Sequence, residues 1–218
     1  MPARPAAGGG RWVDVAPDRL TRWLNGFTGR HGQTGVELDA GVVHLRGADG
    51  SQAQLYPPPG APLTESVEDF VDAALTERRL GLLLARQSAV AVGIADGPRL
   101  TQSKVDTSYV QSRTAAGGWS QQRFARRRVN QAKAAAEEAA DIAVRLLLPE
   151  LATLACVVAG GDRRTVEGVL ADPRLAPVAA ARAERFLDVP EPRRAVLELA
   201  VAQARAIRVR VVDPAATP

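Results

Sequence analysis

"LGLLLARQSAVAVGIADGPRLTQSKVDTSYVQS", residues 80–112, carries the pattern that decides the fold. Residues 80–85 and 89–95 are apolar runs bounded by charged or turn residues, as in strands buried on both faces. Little more than Gln87-Ser88 separates them, so the pair reads as an antiparallel hairpin. From Pro98 the sequence alternates, which predicts a third strand. A long helix is expected over 120–148, stopped by Pro149. "LATLACVVAGG" (151–161) reads as a fourth strand ending in a Gly160-Gly161 turn. "DRRTVEGVLAD" (162–172) reads as a helix and "RFLDVP" (185–190) as a short strand. "EPRRAVLELAVAQARAI" (191–207) is mostly helical and runs into a last strand, "RVRVV". Strands alternating with helices predict an α/β domain with a mixed sheet over 79–212, followed by a tail, 213–218.

The chain ahead of this domain has a different texture. Residues 1–10 read as a disordered leader without the apolar core of a secretory signal. Residues 11–62 form a small α+β accessory module. Its helix presents Leu20, Trp23, Leu24 and Phe27 on one face, and a β-meander follows, with strands around Val36/Leu38, Val43/Leu45 and residues 52–56. Residues 63–78 are expected to be a bridging helix, with Thr64 giving only an imperfect capping box.

Composition narrows the function classes. Hydrophobic residues make up 46% and charged residues 24%, as in an ordinary globular protein, while aromatics at 4% leave the core to aliphatic side chains. No apolar run has the length of a membrane span, so no membrane partner is expected. The single Cys156 lies in an apolar run, which predicts a buried thiol and a reducing, cytoplasmic setting.

The net charge of +4 is unevenly spread. Residues 99–133 hold eight basic side chains against the single acid Asp106, so the rest of the chain sums to −3. A concentrated basic patch is the footprint expected for a polyanion, most commonly nucleic acid; the plain alternative is a solvated helix face. At 100° per residue, Ala125, Val129, Ala132, Ala136, Ala139, Ala143 and Leu147 share one stripe of the long helix. Arg123, Arg126, Arg127, Asn130 and Lys133 then face away from the sheet, beside the loop "GGWSQQ" (117–122).

Several chemistries find no support in these residues. His31 and His44 are the only histidines and lie outside the main domain, away from any Cys or carboxylate cluster, so no metal centre and no cofactor are expected. There is no G-x-S-x-G elbow and no Walker loop. A two-metal nuclease would have to use Asp96 and Asp106. What remains is Gly117-Gly118 carrying Ser120, Gln121 and Gln122 at the mouth of a helix. A glutamine amide does not titrate near neutrality, but it positions a water and, with backbone N–H groups, holds an oxyanion. The helix N-terminus adds about half a positive charge there.

This loop and helix, Gly117-Gly118-Trp119-Ser120-Gln121-Gln122-Arg123-Phe124 followed by Arg126-Arg127-Arg128-x-Asn130, resemble the catalytic segment of the VLRF family. These are release-factor-like peptidyl-tRNA hydrolases related to the catalytic domain of eukaryotic and archaeal class I release factors, and the chain is most similar to the actinobacterial branch. The resemblance implies an RNase H-like α/β fold and metal-independent hydrolysis of the ester between nascent peptide and tRNA. The loop would act in the peptidyl transferase centre of a stalled large ribosomal subunit.

It also implies roles for individual residues. Gln121, which follows Ser120 as Gln follows Ser in the family's Gly-Ser-Gln loops, is the expected catalytic residue; Trp119 interrupts the motif and leaves Gln122 as the alternative. Gly117 and Gly118 would shape the loop. Arg113, Arg123, Arg126, Arg127, Arg128, Asn130 and Lys133 would contact tRNA or rRNA, and Trp119 would stack on a base or anchor the loop. The chain has no room for separate decoding and partner-recruiting domains, which favours rescue over ordinary termination, by a protein expected to be a monomer. A non-catalytic ribosome- or RNA-binding factor on the same fold is the alternative.

Overall fold

The computed structural model describes residues 4–86, 89–107 and 120–214; over 120–130 and at 132 it describes the backbone alone. The chain forms two compact units, Met1–Glu77 with Ala202–Pro218, and Arg78–Val201. The first stretch holds β1 (Arg4–Pro5), β2 (Arg11–Val15), α1 (Leu20–His31), β3 (Thr34–Asp39), β4 (Val42–Gly47), β5 (Gln52–Tyr56) and α2 (Val67–Leu75). Then come β6 (Arg79–Arg86), β7 (Ala89–Asp96), β8 (Arg99–Asp106) and α3 (Ser120–Leu147). The chain continues through β9 (Cys156–Gly161), α4 (Arg163–Leu170), α5 (Ala176–Ala180), β10 (Arg182–Leu187), α6 (Arg194–Arg205) and β11 (Ile207–Val212).

The second unit is built on the expected apolar hairpin. β6 and β7 pair antiparallel in unbroken register from Arg79↔Asp96 to Arg86↔Ala89, and nearly every residue of both is buried. β8 adds antiparallel to β7, and β9 and β10 add in parallel on the other side, giving the order β10-β9-β6-β7-β8. The sheet is mixed and the class is α/β, as the sequence predicts. One face packs Leu83, Ala85, Val90, Val92 and Ile94 against Ala139, Ala143 and Leu147 of α3 and Val166 and Val169 of α4. On the opposite face, Leu197 of α6 comes to 2.8 Å from the point where a Gly93 Cβ would stand.

The two glycines at the end of β9 are strand residues rather than a turn. Gly161 pairs with Ala85 and has φ +102°; a Cβ there would lie 2.3 Å from the Ala85 carbonyl oxygen. Only glycine fits that position. Asp162 then caps α4, its carboxylate accepting from the Thr165 N–H at 2.8 Å. The predicted strand over 151–161 starts late, because residues 151–153 wind into a 3-10 turn. The 3-10 turn Pro173–Leu175 and α5 have no counterpart in the sequence reading.

The first unit corrects the expected domain limits. β11, assigned by sequence to the main domain, pairs antiparallel with β2 and β5 and completes the sheet β1-β2-β11-β5-β4-β3. Its Ile207, Val209 and Val211 enter the same core as Val43, Leu45, Ala53 and Leu55. α2 is no bridge, since Phe70 and Ala74 are buried in that core as well. Its cap is Ser66, whose hydroxyl oxygen accepts from the Asp69 N–H at 3.0 Å, and not Thr64. The leader is also structured over its described residues. Gly8, Gly9 and Gly10 all take positive φ, β1 folds back on β2, and Arg210 donates to the carbonyls of Ala7, Gly8 and Gly9.

Candidate nucleic-acid interface

Sheet register determines which groups share an end of the second unit. Asp106, the last residue of β8, stands opposite Val90 at the start of β7, and Arg86 closes β6 beside Ala89. β9 is parallel to β6, so Gly161, Asp162 and the first turn of α4 lie at that same end. The segment leading to α3 leaves from there, past Thr107, whose N–H donates to the Asp106 carboxylate at 3.0 Å. At the opposite end Leu147, the last residue of α3, packs over Gly81 near the start of β6. Both α3 and α4 therefore run from the sheet end at which β8 finishes.

Lengths set the scale of this arrangement. The 28 residues of α3 make a helix about 42 Å long, whereas the eight residues of β6 span about 26 Å. The helix exceeds the strands by about 15 Å, or roughly ten residues. Its buried side chains are Ala139, Ala140, Ile142, Ala143 and Leu147, with Ala136 half-buried, so the expected small-residue stripe holds over its described part. Between 131 and 138 no described side chain is buried. Lys133 is exposed and sits 3.8 Å from Glu137 one turn on, a pairing too solvated to withhold its charge from a partner.

The predicted site residues divide into three groups. Arg113, Gly117, Gly118 and Trp119 lie outside the described residues. Ser120, Gln121, Gln122, Arg123, Arg126, Arg127, Arg128 and Asn130 fall within the first three turns of α3, with Ser120 its first residue, and only their backbone is described. Lys133 has a described and solvent-facing side chain. The stripe residues Ala125, Val129 and Ala132 likewise have no described side chain.

Around this end lie cations that the sequence reading left out of the site. Arg163 and Arg164 open α4, both exposed, and the Arg163 guanidinium sits 4.3 Å from the Phe186 ring centre. Arg86 donates to the Val189 carbonyl at 2.8 Å and stands 3.7 Å from Asp188. The Asp162 carboxyl is held below its ordinary range by the Thr165 hydroxyl and N–H, with help from Arg86 and Arg164. Over Arg78–Val201 the sequence carries 19 basic and 13 acidic residues; the remainder carries 9 and 11. The basic surplus belongs to the second unit.

The nuclease alternative meets a geometric obstacle. Asp96 closes β7 and Asp106 stands opposite Val90 near its start, six residues away, so the two carboxylates are about 20 Å apart along the strand. A two-metal site needs its carboxylates around ions about 4 Å apart. Among the described residues, no group of three or more His, Cys, Asp or Glu is placed to hold a metal. His31 instead bonds Asp49 at 2.9 Å and packs on Phe27. No helix among the described residues is long and apolar enough to cross a membrane.

Comparison with known proteins supplies the family. Two solved structures align weakly: an archaeal protein (16% identity, TM-score 0.40) and the archaeal translation termination factor aRF1 (15%, TM-score 0.39). Each alignment takes in 89% of this chain, which spans 66% and 65% of those chains respectively. A search of curated proteins returns no match. Residues 78–210, more than half the chain, match the family described as the Actinobacteria/chloroflexi VLRF1 release factor. The match runs from β6 through α6 and into β11, taking in the loop and helix discussed above, and the chain belongs to that release-factor family, whose work is of the termination or rescue kind in translation.

Proposed function

We propose that this protein is a ribosome-associated peptidyl-tRNA hydrolase that frees nascent peptide on stalled ribosomes, with residues 117–122 as its working loop. The observation that carries the proposal is the family match over 78–210, which includes that loop and α3. The architecture supports it. A helix about 15 Å longer than its sheet holds Ser120, Gln121 and Gln122 at its far end, a form suited to reaching a site recessed within RNA. The sheet class also suits the RNase H-like domain implied by the resemblance.

In the proposed reaction, water adds to the ester carbonyl carbon of peptidyl-tRNA, and the acyl bond to the terminal ribose oxygen breaks. The proton of the water ends on that oxygen. The Gln121 side chain holds the water, its amide oxygen accepting a hydrogen bond, and backbone N–H groups at the helix start face the developing oxyanion. The arginines of α3 neutralise tRNA and rRNA phosphates. The ribosome supplies most of the substrate positioning, and the protein works in the cytoplasm as a monomer without metal or cofactor.

The test is single-turnover release of peptide from purified stalled ribosome–nascent chain complexes. Gln121→Ala is expected to slow release by about 10²–10³-fold, the cost of removing one oxyanion or water-positioning group. Gln122→Ala should cost far less; the reverse ranking transfers the role to Gln122. Wild-type speed in both variants overturns the catalytic assignment. Tight ribosome binding without release by the wild type selects the non-catalytic binding factor.

A further inference from the structure

We infer that Lys104, Arg163 and Arg164 form a cationic collar around the base of the α3 extension and bind RNA phosphates there, outside the segment that the family motif covers. The inference rests on RNA being the partner and is independent of whether the protein hydrolyses anything.

The placement follows from register and packing. Lys104 stands opposite Val92 on β7, and Val92 belongs to the core beneath α3 and α4, so Lys104 lies on the α3 side of the edge strand β8. α4 packs on the same face over β6 and β9, with Arg163 and Arg164 in its first turn. α3 lies over β7 and β8, between the two. Lys104 is therefore on one flank of α3 and the arginine pair on the other. All three are near the sheet end at which β8 finishes, where the excess length of α3 begins.

Their electrostatic state fits a phosphate ligand. All three are exposed, and none stands within ion-pair distance of a described carboxylate, Arg164 acting on Asp162 only through space. Several other described cations of this unit already have anionic partners: Arg79 with Glu150, Arg86 with Asp188, Lys133 with Glu137, Arg174 with Asp172 and Asp141, Arg182 with Glu167 and Arg194 with Glu198. The nearby carboxylates have other tasks. Asp162 caps α4, Asp106 accepts from Thr107, and Asp188 faces Arg86. Stacking on Phe186 fixes the Arg163 guanidinium in place, reducing the rotamer entropy lost on binding. The N-termini of α3 and α4 both point toward this end, adding partial positive charge of the same sign.

RNA is favoured over an acidic protein because the guanidinium and ammonium groups are accompanied by no exposed large apolar side chain among the described residues around them. Protein interfaces bury an apolar centre, whereas RNA backbones are bound by spaced cations.

The experiment uses the full chain and a fluorescein-labelled 20-base-pair RNA duplex, with affinity followed across KCl concentration. Lys104→Ala/Arg163→Ala/Arg164→Ala should lower affinity about tenfold or more at 100 mM KCl. It should also flatten the slope of log K against log salt by about 2 or more, close to one per lost phosphate contact. Lys104→Ala/Arg164→Ala leaves the Phe186 stack intact and should flatten the slope by between about 1 and 2. The triple change Lys104→Arg/Arg163→Lys/Arg164→Lys should keep the wild-type slope. Unchanged slopes in both alanine variants overturn the collar, as does absence of RNA binding by the wild type. Equal displacement by polyglutamate at matched charge concentration overturns it in favour of an acidic protein. A wild type that binds RNA with the collar-dependent slope yet releases no peptide leaves the collar standing and removes the hydrolase reading.

Discussion

Over residues 139–147, α3 buries five side chains on the sheet, and Asp141 is tied to Arg174 at 2.7 Å. Over 131–138 the same helix buries none of its described side chains, and its first three turns carry four of the eight basic residues of 99–133. One continuous helix thus has an anchored half and a presenting half. Rigidity explains why both belong to one element. The anchored half fixes the direction of the axis, and an unbroken helix carries that direction to residues about 25–40 Å away from its last turn. A flexible loop of equal length would bring the Gln121 backbone to many places; a helix brings it to one.

The largest effect should come from breaking the anchored half. Leu147 is fully buried, beside Gly81 and Leu154, so Leu147→Ala removes transfer energy and leaves a cavity. A loss of about 2–5 kcal/mol in unfolding free energy is expected, read from urea denaturation. Release activity per folded molecule should fall only where the helix axis loosens. A loss below about 0.5 kcal/mol would mean that this end is not an anchor.

The presenting half should answer in the opposite way. Reversing Arg126 and Arg127 to Glu is expected to weaken association with ribosomes by about tenfold or more, with a reduced salt dependence. The melting temperature should stay within about 2 °C of the wild type, because surface changes away from packing cost little. A collapse in melting temperature with the charges reversed would mean that this half is packed, and the division of the helix would fail.

Much of this division can be read in the sequence, and for a physical reason. The periodicity of a helix is local, so Ala136, Ala139, Ala143 and Leu147 disclose their shared face without knowledge of what covers it. The same locality reveals the β6–β7 hairpin and the apolar face of α1, where Leu20 and Phe27 are fully buried and Trp23 and Leu24 pack against the core. Cys156 is buried as its apolar run suggests, and burial pushes its thiol up to about 11. What escapes is pairing between distant segments. β11 looks like the last strand of its neighbours but closes on β2 and β5, some 150 or more residues earlier. Nothing in "RVRVV" names those partners. β2 escapes for the same reason, since "RWVDV" is too short to stand out beside the helix that follows.

For the proposed site the sequence names residues and leaves their geometry open. Ser120 does begin α3, but successive helix positions point 100° apart, so the choice between Gln121 and Gln122 depends on side chains outside those described. Two misreadings had their signals in plain view. Ser66-x-x-Asp69 is a cap pattern, and its hydroxyl also donates to the Asp69 carboxylate at 2.7 Å. Arg163-Arg164 follows the Asp162 cap directly, yet a basic pair in a short helix has no prominence until the sheet brings it beside α3.

The smallest expected effect tests the tie that holds the anchored half laterally. Arg174 bridges Asp141 of α3 and Asp172, the cap of the 3-10 turn that follows α4. The Arg174 side chain, then its N–H, hold the Asp172 carboxyl down at about 2, below the ordinary 3.8. A depressed folded-state value means that the unfolded chain takes up the proton more readily as pH falls. The contribution of Asp172 is therefore fully present above about pH 4 and is lost as pH falls through about 2. Asp172→Asn keeps a capping oxygen for the Arg174 N–H while removing the charge. Its urea midpoint should fall slightly below the wild type at pH 7 and pH 5, and the two should converge between about pH 4 and pH 2. Asp141→Asn, which leaves Asp172 in place, should reproduce less of the shift, because Arg174 keeps its nearer partner. Midpoints that differ equally at all pH values would mean that Asp172 acts through turn geometry alone, and that the charge of Arg174 does not help to hold α3 on its sheet.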